Sequence, residues 1–178
     1  MKTMIYVPDS EYVKERGVFN IISAPKGTIL PAIGMAVSGE DRRAAYLTDK
    51  NTEFYQSLKV FHSRLGLFQW DFSEQILLRL KRSRPKLAII EYNKYTFKKD
   101  QAVIENTGRE LRNLAESSNA TYLMVSPAMD ANLKILCEWA DRVLIVEEKS
   151  CSKDADFIFK DKTTGCYIKS QRTIADFM

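Results

Sequence analysis

The sequence predicts a single three-layer α/β domain, with a mostly parallel central sheet and a C-terminal β-hairpin. Three observations carry that prediction. Short apolar runs alternate along the chain with stretches of helical periodicity. The runs are apolar at nearly every position, as strands buried on both faces must be, rather than at every second one. The C-terminal stretch DADFIFKDKTTGCYIKS departs from this pattern. It alternates on either side of Thr163, Thr164 and Gly165, which is a hairpin signature.

Taken in order, strands are expected at Met4–Val7, Val18–Ile22, Ala44–Leu47, Leu87–Ile90, Thr121–Val125 and Arg142–Val146. A helix is expected over Asn51–Leu65, where Phe54, Tyr55, Leu58, Phe61 and Leu65 recur at helical spacing. Ser73 can cap a second helix running to Leu80. Asp100–Ser117 places Val103, Ile104, Leu111, Leu114 and Ala115 on one side, and Asp130–Trp139 forms a shorter helix. No linker, repeat or low-complexity segment interrupts the chain, so residues 1–178 read as one domain.

Composition narrows the classes. Hydrophobic residues make up 45% and charged residues 28%, as in ordinary globular proteins. A formal charge of +4 permits an anionic partner without demanding one. Cys137, Cys151 and Cys166 lack C-x-x-C spacing, and His62 is the sole histidine, which argues against a zinc cluster. Cys166 has no base near it in sequence and is not offered as a nucleophile. His62 reads as a surface or boundary residue rather than a ligand or base, and Trp70 and Trp139 as core or boundary packing. The N-terminal stretch lacks a signal cleavage pattern and no apolar run is long enough to span a bilayer, so a cytoplasmic setting without a membrane partner is expected.

The stretch SAPKGTILPAIG, Ser23 to Gly34, stands where a phosphate-binding loop would stand, between an apolar strand and a helix-like run. Such a loop needs G-x-x-x-x-G-K-[ST], so that backbone N–H groups and a lysine meet the phosphates. Here the first glycine is absent and Lys26 precedes Gly27 and Thr28 instead of following the glycine.

Together with LAIIEYNKY, IENTGRELRNLAESSNATYLMVSP, CEWADRVLIVEE and the C-terminal DADFIFKDKTTGCYIKS, the chain from Val18 onward resembles the C-terminal RecA-like motor domain of DnaB-type replicative helicases. The motifs are individually weak but fall in the family's order. The resemblance implies a RecA-like P-loop NTPase-type fold, without the family's N-terminal domain and linker helix. It implies that Ser23–Thr28 occupies the Walker A position, with Lys26, Gly27 and Thr28 as residual nucleotide contacts. It puts Asp49 at the catalytic glutamate position and Glu91 at the Walker B aspartate, with Tyr92 kept behind it. Ser126 is kept, while Pro127 replaces the glutamine that senses the γ-phosphate. Lys160 and Lys162 match the Lys-x-Arg fingers that reach a neighbouring subunit's nucleotide.

Phosphoryl transfer is mostly positioning and electrostatic stabilisation by Mg²⁺, a lysine and a base. With Lys26 displaced and the acids exchanged, no catalytic residue is assigned and no cofactor is expected, although Lys26, Asp49 and Glu91 leave room for ATP and Mg²⁺. The function expected is therefore that of a non-catalytic, helicase-derived accessory protein in DNA replication, repair or mobile-element maintenance. Its partners would be single-stranded nucleic acid, a RecA-like ATPase subunit, or a second copy of itself. Two alternatives stay open, a divergent nucleotide-binding ATPase and a structural homo-oligomer. For nucleic acid, YNKYTFKK interleaves Tyr92, Tyr95 and Phe97 with Lys94, Lys98 and Lys99, the mixture that stacks on bases and neutralises phosphates. A solvated loop with its rings packed on the next helix reads equally well. RLKRSRPK, Arg79 to Lys86, is a denser basic cluster, for which a helix C-terminus supplies a sufficient electrostatic reason.

Overall fold

In a computed structural model, the residues described are 15–23, 43–48, 65–69, 73–92, 100–148, 157–161 and 167–170. They form strands β1 (Val18–Ser23), β2 (Ala44–Thr48), β3 (Leu65–Gln69), β4 (Leu87–Glu91), β5 (Thr121–Ser126), β6 (Arg142–Glu148), β7 (Phe157–Asp161) and β8 (Tyr167–Ser170). The helices are α1 (Ser73–Ser83), α2 (Gln101–Ser117) and α3 (Ala131–Cys137). One sheet runs in the order β3-β2-β4-β5-β1-β6-β7-β8. From β3 across to β6 every neighbouring pair is parallel, and β7 pairs antiparallel with both β6 and β8.

The apolar runs become central strands because both faces of the sheet are dry. By register, Phe19, Ile21, Leu47, Ile90, Tyr122 and Met124 share one face and join the core cluster with Ile76, Ile104, Leu111 and Leu133 from the three helices. On the opposite face Ile22, Tyr46, Ile89, Leu123 and Leu144 are equally buried. A parallel α/β sheet covered on both sides, consistent with three layers, is the result.

The α2 stripe is Ile104, Thr107, Gly108, Leu111 and Ala115, spaced three, one, three and four. Val103 and Leu114, expected on the same side, lie half-buried at its margins. Gly108 meets Trp139, two residues past the end of α3: a Cβ built there would lie 2.8 Å from Trp139 Cδ1. The Asp100 side chain caps α2 by accepting from Val103 N. The helix ends with Asn119 in the left-handed region (φ 50) and Ala120 N donating to Ala115 O, a turn that satisfies its last carbonyls. Asp141 joins β1 to β6. Its Oδ2 accepts from Phe19 N at 2.9 Å, its own N–H donates to Phe19 O at 2.7 Å, and its Oδ1 lies 3.3 Å from Arg112.

Leu65 corrects one expectation. It opens β3 instead of closing a helix, so the run LGLFQ is a strand parallel to β2. Its four-residue step from Phe61 continued the helical count, but the apolar run that follows fits a strand. α1 reaches Ser83, a turn beyond the expected end at Leu80. The expected strand Met4–Val7, the body of the expected helix Asn51–Leu65 and the Thr163–Gly165 turn fall outside the described residues. Among the described residues no helix is long and apolar enough to cross a membrane.

Candidate functional site

Parallel strands bring all their carboxyl ends to one edge, and ligands of such sheets bind there, where the direction of the connections reverses. Two reversals occur. The chain leaves β1 past β5 towards β2 and leaves β5 past β1 towards β6, so the connections from these two neighbours run in opposite directions and cross. It leaves β2 towards β3 but leaves β4 towards β5, so at β2 and β4 the connections diverge and leave a crevice between the strand ends. The side chains at these ends are Ser23, Ser126, Thr48 and Glu91.

Glu91 is the best-built of them. Period-two alternation and the register of β2 with β4 put Tyr46, Thr48 and Glu91 on the same face. The Tyr46 hydroxyl donates to Glu91 Oε2 at 2.7 Å and the Thr48 hydroxyl donates to the same oxygen at 2.9 Å. Tyr46 and Thr48 are almost completely buried, whereas Glu91 is partly exposed. The result is a carboxyl group held in one position at the mouth of the crevice.

Tyr92 follows on the other face. It is 5% exposed and belongs to the core cluster. Its hydroxyl donates to both oxygens of Asp130 at 2.8 Å, and Asp130 Oδ1 in turn accepts from Leu133 N at the start of α3. Burial first, then the hydrogen bond to Asp130 and that carboxylate's charge, push the Tyr92 pKa far above the ordinary tyrosine value. A neutral donor thus locks the β4 end to the α3 cap. Ser126 is also committed locally: its hydroxyl donates to Ala128 O at 2.6 Å and accepts from Ala128 N at 3.3 Å.

The sequence-predicted residues therefore divide. Glu91 stands at the crevice. Tyr92 is a core residue, which corrects its expected place among base-stacking rings. Lys26, Gly27, Thr28, Asp49, Lys94, Tyr95, Phe97, Lys98, Lys99 and Lys162 lie outside the described residues. Lys160 lies on β7 opposite Ile145 of β6 and Tyr167 of β8. Sequence reasoning missed Tyr46, Thr48 and Asp130. Tyr46 and Thr48 sit two apart in the strand AAYLT, which signals a shared face, but nothing in the sequence names the neighbouring strand.

Among the described residues no group of three or more His, Cys, Asp or Glu side chains gathers to hold a metal. Any Mg²⁺ at Glu91 would depend on phosphate oxygens and water for the rest of its shell, as Mg²⁺ commonly does. A scan against models of protein families and a search of curated proteins found no match to this chain.

Proposed function

We propose that this chain is a RecA-like domain, related in form to the motor domain of DnaB-type helicases, that works by binding and not by hydrolysis. It serves DNA replication, repair or mobile-element maintenance by engaging single-stranded nucleic acid, a RecA-like subunit, or both. The observation that carries this reading is the strand order about Glu91. A Walker-type site requires the phosphate-loop strand, the acid-bearing strand and the sensor strand side by side, because one phosphate and its metal touch all three. β1, β5 and β4 are consecutive in the sheet. Dinucleotide-binding sheets run 3-2-1-4-5-6 and flavodoxin-like sheets 2-1-3-4-5, and neither inserts two later strands between the first and second. The antiparallel pairing of β7 with β8 supports the finger-bearing C-terminal hairpin of this reading.

The non-catalytic half of the proposal rests on the residues. Lys26 precedes its glycine, Pro127 stands where a glutamine should sense phosphate, and the Ser126 hydroxyl is engaged in its own turn. A divergent ATPase is the alternative, favoured by the fixed Glu91 carboxyl at the crevice. Calorimetric titration with ATP and Mg²⁺, run beside a phosphate-release assay, separates the two. The expected result is neither micromolar binding nor turnover. Binding with turnover that Glu91→Gln abolishes would establish the ATPase instead.

A further inference from the structure

The edge of the sheet opposite the crevice carries a second feature. A cleft of about 420 Å³ opens there, lined by Lys81, Arg84, Lys86, Leu114, Ser117 and Ser118. Its cations come from three places: the last turn of α1, the residue just past its end, and the entry to β4. None of these described lining residues is acidic. Lys81 makes only a loose, exposed pair with Glu110 at 3.6 Å, and Lys86 Nζ donates to the Ser118 carbonyl at 2.9 Å, which holds the ammonium over the cleft.

The helix dipole accounts for Lys81 and Arg82 in the last turn of α1. It does not account for the rest. Arg84 sits in the left-handed region (φ 43), a conformation that favours Gly or Asn, and it precedes Pro85. At the equivalent turn after α2 the chain uses Asn119 (φ 50). Arginine at a position where asparagine would fit with less strain is a local cost that a use for the side chain would explain. The exposed cations also continue along the edge. Arg43 precedes β2, its carbonyl accepting from Lys86 N and Leu87 N, and Arg16 lies just before β1, two strands beyond β4. With neighbouring strands roughly 4.8 Å apart, Arg43 extends the positive charge of the cleft on its β2 side, whereas Arg16 stands beside the acidic Glu15 and near Glu116, whose Cα lies 4.0 Å from a Cβ built on Gly17.

We propose that this cleft binds the phosphate backbone of a polynucleotide. An extended polyanion matches cations spread along the edge from Arg43 through Lys86 and Arg84 to Lys81, and Leu114 offers an apolar wall to the sugars. Such contacts carry no base sequence, so binding is indifferent to sequence and sensitive to salt. The inference rests on the nucleic-acid branch of the proposed function only for its ligand, and it places the contact away from Lys94, Lys98 and Lys99.

The test is fluorescence anisotropy with labelled oligothymidylate and with a duplex, between about 50 and 200 mM salt. Three proteins are compared: wild type, K81Q/R84N, and K94Q/K98Q/K99Q. K81Q/R84N should lose about tenfold in affinity at low salt and flatten the single-strand slope by roughly 1.4, two phosphates' worth. Its urea midpoint should equal or exceed that of wild type, because asparagine suits the backbone at position 84; this shows that the loss is not misfolding. Unchanged binding by K81Q/R84N, with loss in the loop variant, overturns the cleft while leaving nucleic-acid binding intact. Failure of the wild type to bind either DNA overturns the cleft and the nucleic-acid branch together, leaving the RecA-partner branch to stand on its own test. Displacement of DNA by polyglutamate at matched charge also overturns it, since the surface would then be a general anion exchanger.

Discussion

Tyr46 on β2 donates its hydroxyl proton to Glu91 Oε2 on β4 across 2.7 Å, and Thr48 donates to the same oxygen from one pleat further along. Two donors on one oxygen act as a unit, so deleting them should not be additive. Tyr46→Phe or Thr48→Val alone should cost about 1–2 kcal/mol of unfolding free energy. The double variant should deviate from the sum by at least about 0.5 kcal/mol. Urea denaturation of the four proteins gives the cycle, and simple additivity would show that the two bonds are independent.

Gly108 faces Trp139 so closely that a methyl group has no room, with the indole Cδ1 2.8 Å from a built Cβ. The indole N–H finds no hydrogen-bond partner among the described residues, so packing alone fixes the ring. Gly108→Ala gains up to about 1 kcal/mol of helix propensity and loses about 1–3 kcal/mol by overpacking. The net change should be destabilising, with a shifted tryptophan emission maximum. A more stable protein with unchanged emission would mean that α3 accommodates the methyl group without moving.

Tyr92 and Tyr122 predict an alkaline limit. Burial pushes the Tyr122 pKa up to about 12, against a smaller opposing pull from the Ser118 hydroxyl, and Tyr92 is raised further by burial and Asp130. Both pKa values are raised on folding, so the stabilisation is complete below the ordinary value of 10.0 and is lost as pH rises above it. Each tyrosine should remove about 1.4 kcal/mol per pH unit over that range. Urea midpoints from neutral pH to pH 12 should fall steeply above 10, and Tyr122→Phe should make the decline shallower. A flat profile in the wild type would mean that neither hydroxyl is shielded from water.

Lys160 and Lys162 bear on the partner. If β7 and β8 present an interface to a RecA-like subunit or to a second copy, reversing both charges to Glu should abolish that association. Light scattering of wild type and K160E/K162E at high concentration, alone and with a RecA-like helicase, reads it directly. A wild type that stays monomeric, with a helicase interaction indifferent to the reversal, would leave the pair as solvated lysines.

The sequence by itself determined the element types and their order wherever the physics is local. Val18–Ile22, Leu87–Ile90 and Thr121–Val125 are strands because continuous apolar runs can be satisfied only by burial on both faces. Asp100 and Asp130 mark helix starts because a short carboxylate can accept from the amide three residues on. Leu65 went astray because one residue can satisfy a helical count and also open a strand.

Tertiary structure alone decided which strands are neighbours. β2 lies beside β4, although more than thirty residues separate them, and only that placement turns Tyr46, Thr48 and Glu91 into one cluster. The same holds for Tyr92 with Asp130, and for the cleft assembled from the end of α1, the entry to β4 and the end of α2. Side-chain alternation fixes which face a residue takes within its own strand. The partner across the ladder depends on long-range burial and chain crossing, to which no short stretch of sequence is sensitive.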